Sequence, residues 1–327
     1  MLNIASSFSV IDSHTAGHPT RVILSGIPKL HGASVFDMRE DFRTRFDDLR
    51  PFLLHEPRGH AAMVGLVPVP SRVADYGAFF ISSYVYLDMC GHGTIGYAKT
   101  LASTGQIAPG QGDSFTLETP AGIVTVGLVW AQDGTLSGVR LRNVPSHVGL
   151  RGLAVPFEGF GIVTTDIVYG GMWYALVDAG PLGLELVPER ASELMRIGSA
   201  LKRAIKQAVA DQPDIAGSVA PSVLFYTDTA PGEAVHFLVL ESNKFDRSPC
   251  GTGTAARVAM LAERGGLAPD GTYRARNIFG VDFLARIADR TPDGAVVAEI
   301  QGIAHLSAFS TIVLEKDDPL ARGFLCR

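Results

Sequence analysis

An excess of charge of either sign is missing. With 28 Lys and Arg against 33 Asp and Glu, the 327-residue chain carries a net charge of −5, and no basic stripe or block of like charge occurs. Nothing in such a chain calls for a nucleic acid or an anionic membrane surface as partner. Cysteine is scarce too: Cys90, Cys250 and Cys326 are odd in number and lack CxxC spacing. A disulfide framework and a structural zinc site are therefore not expected, and reduced thiols in a cytoplasm are. No apolar run approaches the roughly 18 residues of a membrane helix, and MLNIASSFSVIDSHT has no basic segment leading into an apolar one. The nine histidines show no HxH or HExxH spacing. GHGTIG and GTGTAA also fit neither a dinucleotide fingerprint nor a GK[ST] phosphate loop, so no metal and no nucleotide cofactor is expected.

What is present is an ordinary globular composition, 46% apolar and 19% charged, long enough for about two domains. Its 36 Gly and 19 Pro point to many tight turns between short strands. The order of the chain comes from an internal repeat. CGHGTIGYAKTLASTGQIAP at Cys90 to Pro109 aligns without gaps on CGTGTAARVAMLAERGGLAP at Cys250 to Pro269, an offset of 160 with nine identities in twenty positions. Ordinary composition gives roughly one or two. A weaker echo pairs Asp12 and Gly17 with Asp166 and Gly171 at an offset of 154.

The remaining pattern fits two copies of one α+β unit. Strands are expected around residues 20–24, 78–87, 122–130, 161–168, 172–177, 235–240 and 307–314, where β-branched and alternating runs are bounded by turn residues. Phe42, Phe46, Leu49 and Leu53 predict one amphipathic helix, and Leu194, Leu201, Ile205 and Ala208 another. Each CGxGT segment opens a further helix, mostly apolar, closed by Gly105 or Gly265 and expected to run through the middle of its own sheet. The boundary falls near Val155 to Gly161, giving units 1–157 and 158–327, with a return of the C-terminal strands to the first unit left open. The site is expected in a cleft between the units.

Cys90 and Cys250 stand at the first turn of their helices, where unpaired N–H groups and the dipole favour anions and lower a thiol pKa from about 8.5. Gly91, Gly93, Gly251 and Gly253 allow close backbone approach, so that bare amides can cradle a carboxylate. Two equivalent thiols suit inversion at a carbon α to a carboxylate: a thiolate takes the proton from one face and a thiol delivers one to the other. One proton is then shared, and the titration belongs to the pair.

DMCGHGTIG at Asp88 to Gly96 and DRSPCGTGT at Asp246 to Thr254 closely resemble the two signature segments of the proline racemase family. The resemblance extends to DSHTAGHPTR from Asp12, HEPRGH from His55 and YGGMWYALVDA from Tyr169, and so spans most of the chain. It implies the diaminopimelate epimerase-like fold, two pseudo-symmetric units each with a largely antiparallel sheet wrapping a central helix. It further implies Cys90 and Cys250 as the proton-transfer groups and the amides of Gly91, His92, Gly251 and Thr252 on the substrate carboxylate. His92 and Asp246 would contact the ring nitrogen of an imino acid. Phe80 and Leu240, each ten residues before a thiol, resemble the pocket-lining positions, and His60 could meet a hydroxyl. His18 stands where the family usually has Glu, and Met172 where it often has Asn.

The activity so implied is cofactor-independent racemisation or epimerisation of proline or 4-hydroxyproline, in a chain that could form a homodimer. The alternative is dehydration of trans-3-hydroxy-L-proline, although the family's dehydratases usually have Thr in place of the second Cys. A redox-sensing dithiol or an amino-acid-binding module is the non-enzymatic reading. Cys326 reads as a spare thiol.

Overall fold

The computed structural model describes residues 3–215 and 220–326. It divides into two units, one of residues 1–141 with 302–327 and one of residues 142–301.

The first unit runs β1 (Ile4–Thr15), β2 (His18–Ile23), α1 (Val35–Phe46), α2 (Leu49–Leu54), β3 (Val64–Val69), β4 (Tyr76–Ser82), β5 (Tyr86–Leu87), α3 (Gly91–Ser103), β6 (Ser114–Thr119), β7 (Gly122–Trp130) and β8 (Leu136–Arg142). The second runs β9 (His147–Phe157), β10 (Gly161–Tyr169), β11 (Trp173–Asp178), α4 (Ala191–Ala208), β12 (Ser222–Ala230), β13 (Glu233–Glu241), β14 (Lys244–Asp246), α5 (Gly251–Glu263), β15 (Thr272–Asn277), β16 (Asp282–Arg290) and β17 (Val296–Gly302). The last strand, β18 (Ala304–Glu315), pairs antiparallel with β1 from Ile4↔Glu315 to Thr15↔Ala304 and so belongs to the first unit.

This strand explains why the division differs from the expected 1–157 and 158–327. β9 forms a hairpin with β10 and is the second unit's outer strand. In the first unit the same place beside β1 is taken by β18, from the far end of the chain. The pairing pattern is otherwise shared. In the first unit β18, β1, β2, β3, β4 and β6 to β8 follow in order with parallel steps only at β2–β3 and β4–β6. In the second, β9 to β13 and β15 to β17 follow with parallel steps only at β11–β12 and β13–β15. The parallel steps carry the helices, because a parallel return needs a crossover.

Each sheet curls about one helix. α3 touches β1, β2, β3, β7 and β18, strands spread across its sheet, and α5 touches β9, β10, β11 and β16. A helix enclosed in this way has no solvent face, so the usual amphipathic stripe gives way to buried small and apolar residues such as Ile95, Ala98 and Leu101, or Ala255, Val258 and Met260. Both helices end as expected: Gly105 and Gly265 have φ of 72° and 69°, and the amides of Gln106 and Gly266 bond back to Leu101 and Leu261.

Close packing demands a glycine on one side of each helix, and the two units place it differently. A Cβ on Gly96 of α3 would lie 2.9 Å from the Ser13 hydroxyl and 3.2 Å from Thr20 Cβ. The matching helix position in the second unit is Ala256, and there the strand turn supplies Gly170, whose Cβ would meet Ala256 Cβ at 3.1 Å.

On the outer face of the second sheet α4 buries Leu194, Ile197, Leu201 and Ile205 against Val223, Phe225, Phe237 and Val239. At about 1.5–3 kcal/mol for each fully buried side chain, this seam is a large share of the unit's stability, and Leu201→Ala alone would cost about 2–5 kcal/mol. On the first sheet the expected single helix over Phe42 to Leu53 is two, broken at Asp47 and Asp48, with Phe42, Phe52 and Leu53 in the same core cluster. Arg21 of β2 ties this layer down. It makes a two-pronged ion pair with Asp12 (2.8 and 2.7 Å) and donates to the carbonyls of Leu53 and Arg58. The ends of the DSHTAGHPTR segment are therefore structural. Asp166, echoed from Asp12 at an offset of 154, pairs instead with Arg264 at the end of α5. The echo holds only at the strand turns, where Gly17 and Gly171 have φ of 91° and 104°.

Candidate active site

Both thiols are N-caps. Cys90 precedes α3 and Cys250 precedes α5, and each is nine-tenths or more buried. The first-turn amides that follow, Gly91 and His92 in one unit and Gly251 and Thr252 in the other, lie outside the i→i−4 ladder by helix geometry alone, which is the condition for anion binding. In each case the threonine four residues on makes the first bond of the helical ladder: the amides of Thr94 and Thr254 donate to the carbonyls of Cys90 and Cys250.

The atoms around Cys90 include an imidazole. Its Sγ lies 3.4 Å from Nδ1 and 3.5 Å from Nε2 of His92, whose ring meets His18 edge-on at 4.3 Å and whose carbonyl accepts from Thr15 Oγ1. His18, noted in the sequence only as a departure from the family pattern, is thus in contact with an expected substrate-binding residue. Phe80 is fully buried beside this helix start. A Cβ on Gly93 would lie 3.1 Å from both the Phe80 ring and Cys90 Sγ, so a larger residue there would have to push one of them aside by a few tenths of an ångström.

Around Cys250 the arrangement is different. The backbone takes φ 65°, ψ 110°, a conformation rare for a residue with a Cβ, and this turns Sγ onto the Gly253 amide at 3.2 Å. Tyr174 Oη lies 3.6 Å and Thr252 Oγ1 3.7 Å from the sulfur, and the two hydroxyls bond to each other at 2.6 Å. Sequence reading missed Tyr174. Within a hydrophobic strand it reads as core or cleft wall, and only its contacts with Cys250 Sγ and Thr252 Oγ1 place it over the start of α5.

Asp246 ends β14, buried, with Oδ1 accepting from both the amide and the hydroxyl of Ser248. Burial pushes its carboxyl up to about 6 against the pull of those two hydrogen bonds. Burial likewise pushes the Cys250 thiol up to about 12, with the nearby Asp246 charge adding to it. The expectation that a helix start lowers this thiol is therefore corrected: the Gly253 amide and the two hydroxyls favour the thiolate, but loss of water outweighs them.

The pocket-wall residues separate. The 160-residue offset that relates Phe80 to Leu240 does not hold in the strands. Phe80 pairs with Leu66 and Leu87, while Leu238 pairs with Leu224 and Asp246, so the counterpart of Phe80 is Leu238, at an offset of 158. Leu240 is half-buried, and its carbonyl receives Lys202 Nζ. His60 is exposed in the turn after α2, with Nδ1 accepting from the Ala62 amide. Met172 lies in the β10–β11 turn, its carbonyl taking the Gly170 amide. Cys326 is exposed, 3.6 Å from a Glu56 carboxylate oxygen.

Comparison with known proteins matches residues 10–325 to the family model described as proline racemase. The chain belongs to the proline racemase family. It is 38% identical to a 4-hydroxyproline 2-epimerase of Xanthomonas campestris pv. campestris over 98% of this chain and 99% of that one. It is 34% identical to a proline racemase of Clostridioides difficile over the whole of both chains. A crystal structure of a hydroxyproline epimerase from Agrobacterium vitis, with bound trans-4-OH-L-proline, superposes with a TM-score of 0.87 at 30% identity, covering 98% of this chain and 96% of that one. The diaminopimelate epimerase-like fold implied by the signature segments is the fold observed, and this member of the proline racemase family is an isomerase of the racemase and epimerase class. Among the described residues no helix is long and apolar enough to cross a membrane.

Proposed function

We propose that the protein inverts the α-carbon of proline or 4-hydroxyproline, with Cys90 and Cys250 as the two proton-transfer groups and no cofactor. The observation that carries this reading is the equivalence of the two sulfurs: each caps the central helix of its own unit at the same point of a shared strand order. The printed activities of the relatives, proline racemase and 4-hydroxyproline 2-epimerase, support the substrate class.

In the substrate-free protein Cys250 is held as a thiol by its burial, and it serves as the donor in the first half-reaction. The Cys90 sulfur takes the α-proton, the C–H electron pair delocalises toward the carboxylate, and the Cys250 S–H proton is delivered to the opposite face. The amides of Gly91, His92, Gly251 and Thr252 hold the carboxylate, where negative charge grows as the carbon becomes planar. Asp246 and His92 hold the ring nitrogen. After turnover the proton sits on Cys90, and the reverse reaction uses the sulfurs in exchanged roles.

Incubation with L-proline and, separately, trans-4-hydroxy-L-proline in deuterated water tests this. Incorporation of α-deuterium with inversion is expected from at least one of the two. Absence of exchange from both overturns the reading, and a cyclic imine product from trans-3-hydroxy-L-proline reassigns the protein as a dehydratase.

A further inference from the structure

Nothing in the two-thiol scheme uses the side chains of Tyr174 and Thr252, yet both hydroxyls converge on one sulfur. Tyr174 is 2% exposed, and its Oη, Thr252 Oγ1 and Cys250 Sγ form a triangle with sides of 2.6, 3.6 and 3.7 Å. A thiol needs little from such neighbours, since sulfur is a weak acceptor and S–H a weak donor. One of the two hydroxyl protons then has a better use in the hydrogen bond between the two oxygens. A thiolate reverses the balance, because a hydrogen bond onto an ion is roughly twice as strong as one between neutral groups.

We propose that Tyr174 is a positioning residue that, together with the Thr252 hydroxyl, turns its proton onto the Cys250 sulfur when that sulfur gives up its own. Resting on the assignment of Cys250 as a proton-transfer group, the proposal supplies what a buried sulfur lacks at that moment. Water is excluded, and the Gly253 amide at 3.2 Å provides one donor only. Two hydroxyls bring the number to three, and no proton leaves either oxygen. The ionisable groups of this unit facing the sulfur are Asp246, whose charge opposes the thiolate, and Tyr174 itself, whose burial holds its phenol well above the usual range and keeps it a donor. The other thiol stands among different side chains. Strand pairing gives Thr20 the place of Tyr174, since Thr20↔Val64 and Tyr174↔Ser222 are matching steps, and His92 has the place of Thr252. Tyr174 therefore acts on one of the two sulfurs.

The rate of alkylation by iodoacetamide at each cysteine, followed at fixed pH by peptide mass spectrometry on the full chain without substrate, reads the thiolate fraction directly. Tyr174→Phe keeps the buried ring and should slow alkylation at Cys250 about tenfold, the effect of one hydrogen bond onto an ion. The rate at Cys90 and the melting temperature should stay as they were. Thr252→Val should slow Cys250 similarly and Thr252→Ser should not, which keeps the test open if Tyr174→Phe does not fold. Unchanged alkylation at Cys250 in both Tyr174→Phe and Thr252→Val, or equal slowing at both cysteines, overturns the proposal. Because no proline is used, failure here is distinct from failure of the two-thiol reaction, which the deuterium experiment reads.

Discussion

Cys90 and Cys250 occupy matching points of two units with one strand order, and they differ in almost every neighbouring atom. Cys90 has extended backbone, φ −145°, with an imidazole against its sulfur; Cys250 has φ 65°, with an amide and two hydroxyls. The source of the difference is two residues. β4 and β13 match at an offset of 158, β5 and β14 at 159 and the helices at 160, so one extra residue falls in the β13–β14 hairpin and one between β14 and Cys250. Ser248 uses that extra length to bridge: its hydroxyl donates to Asp246 and accepts the Cys250 amide. In the first unit the strand-matched position of Asp246 is Leu87, and the adjoining Asp88 is exposed and paired with Arg39. Duplication supplied the common frame, and two extra residues, one on either side of β14, leave one half with a buried carboxylate at a strand end where the other half has Leu87.

The comparison breaks most severely if either sulfur is replaced. Cys90→Ser and Cys250→Ser should each lower inversion by about 10²–10⁴-fold, the usual contribution of a positioned proton-transfer group, as measured by α-deuterium incorporation. A variant at full rate would remove that sulfur from the scheme.

Next in size is the packing of the two central helices. Gly170→Ala sets a Cβ against the backbone carbonyl of Thr252, which cannot swing away, and should cost about 3 kcal/mol by chemical denaturation.

Asp246→Asn sharpens the contrast between the buried carboxylate of the second unit and the exposed Asp88 of the first. A folded value of about 6 against an ordinary 3.8 means that the protonated form fits the fold better. Its contribution to stability is fully present below about 3.8 and is lost as pH rises through about 6. The amide never ionises, so the variant should gain on its parent across that window, reaching about 3 kcal/mol at pH 8, while losing activity. Melting curves at pH 4 and pH 8 read the difference, and a gap independent of pH would show that the carboxyl is not raised.

The smallest effect is expected at Gly96→Ala, about 1 kcal/mol, because the Ser13 hydroxyl it meets at 2.9 Å belongs to a side chain that can rotate. A cost equal to that of Gly170→Ala would mean that the two helices are seated alike.

Much of this was legible in one dimension. The repeat at Cys90 and Cys250, the caps at Gly105 and Gly265, and β7 over Gly122–Trp130 follow from local rules, since a helix start, a left-handed cap and an alternating strand are each set by residues close in sequence. The short strands β5 and β14 carry too few residues to show a period. The break at Asp47 and Asp48 was masked because Phe42, Leu49 and Leu53 keep helical spacing across it.

The sequence by itself determined the family, the duplicated frame and the two sulfurs at their helix starts, because these rest on short contiguous segments whose residue types have few other uses. Tertiary structure alone decided that β18 closes the first unit, that Leu238 rather than Leu240 matches Phe80, and that Tyr174 stands over Cys250. Each of these depends on strand register between segments far apart in the chain. The thiol's own acidity was decided there too, since burial, which no local pattern reports, outweighs the helix start that the pattern did show.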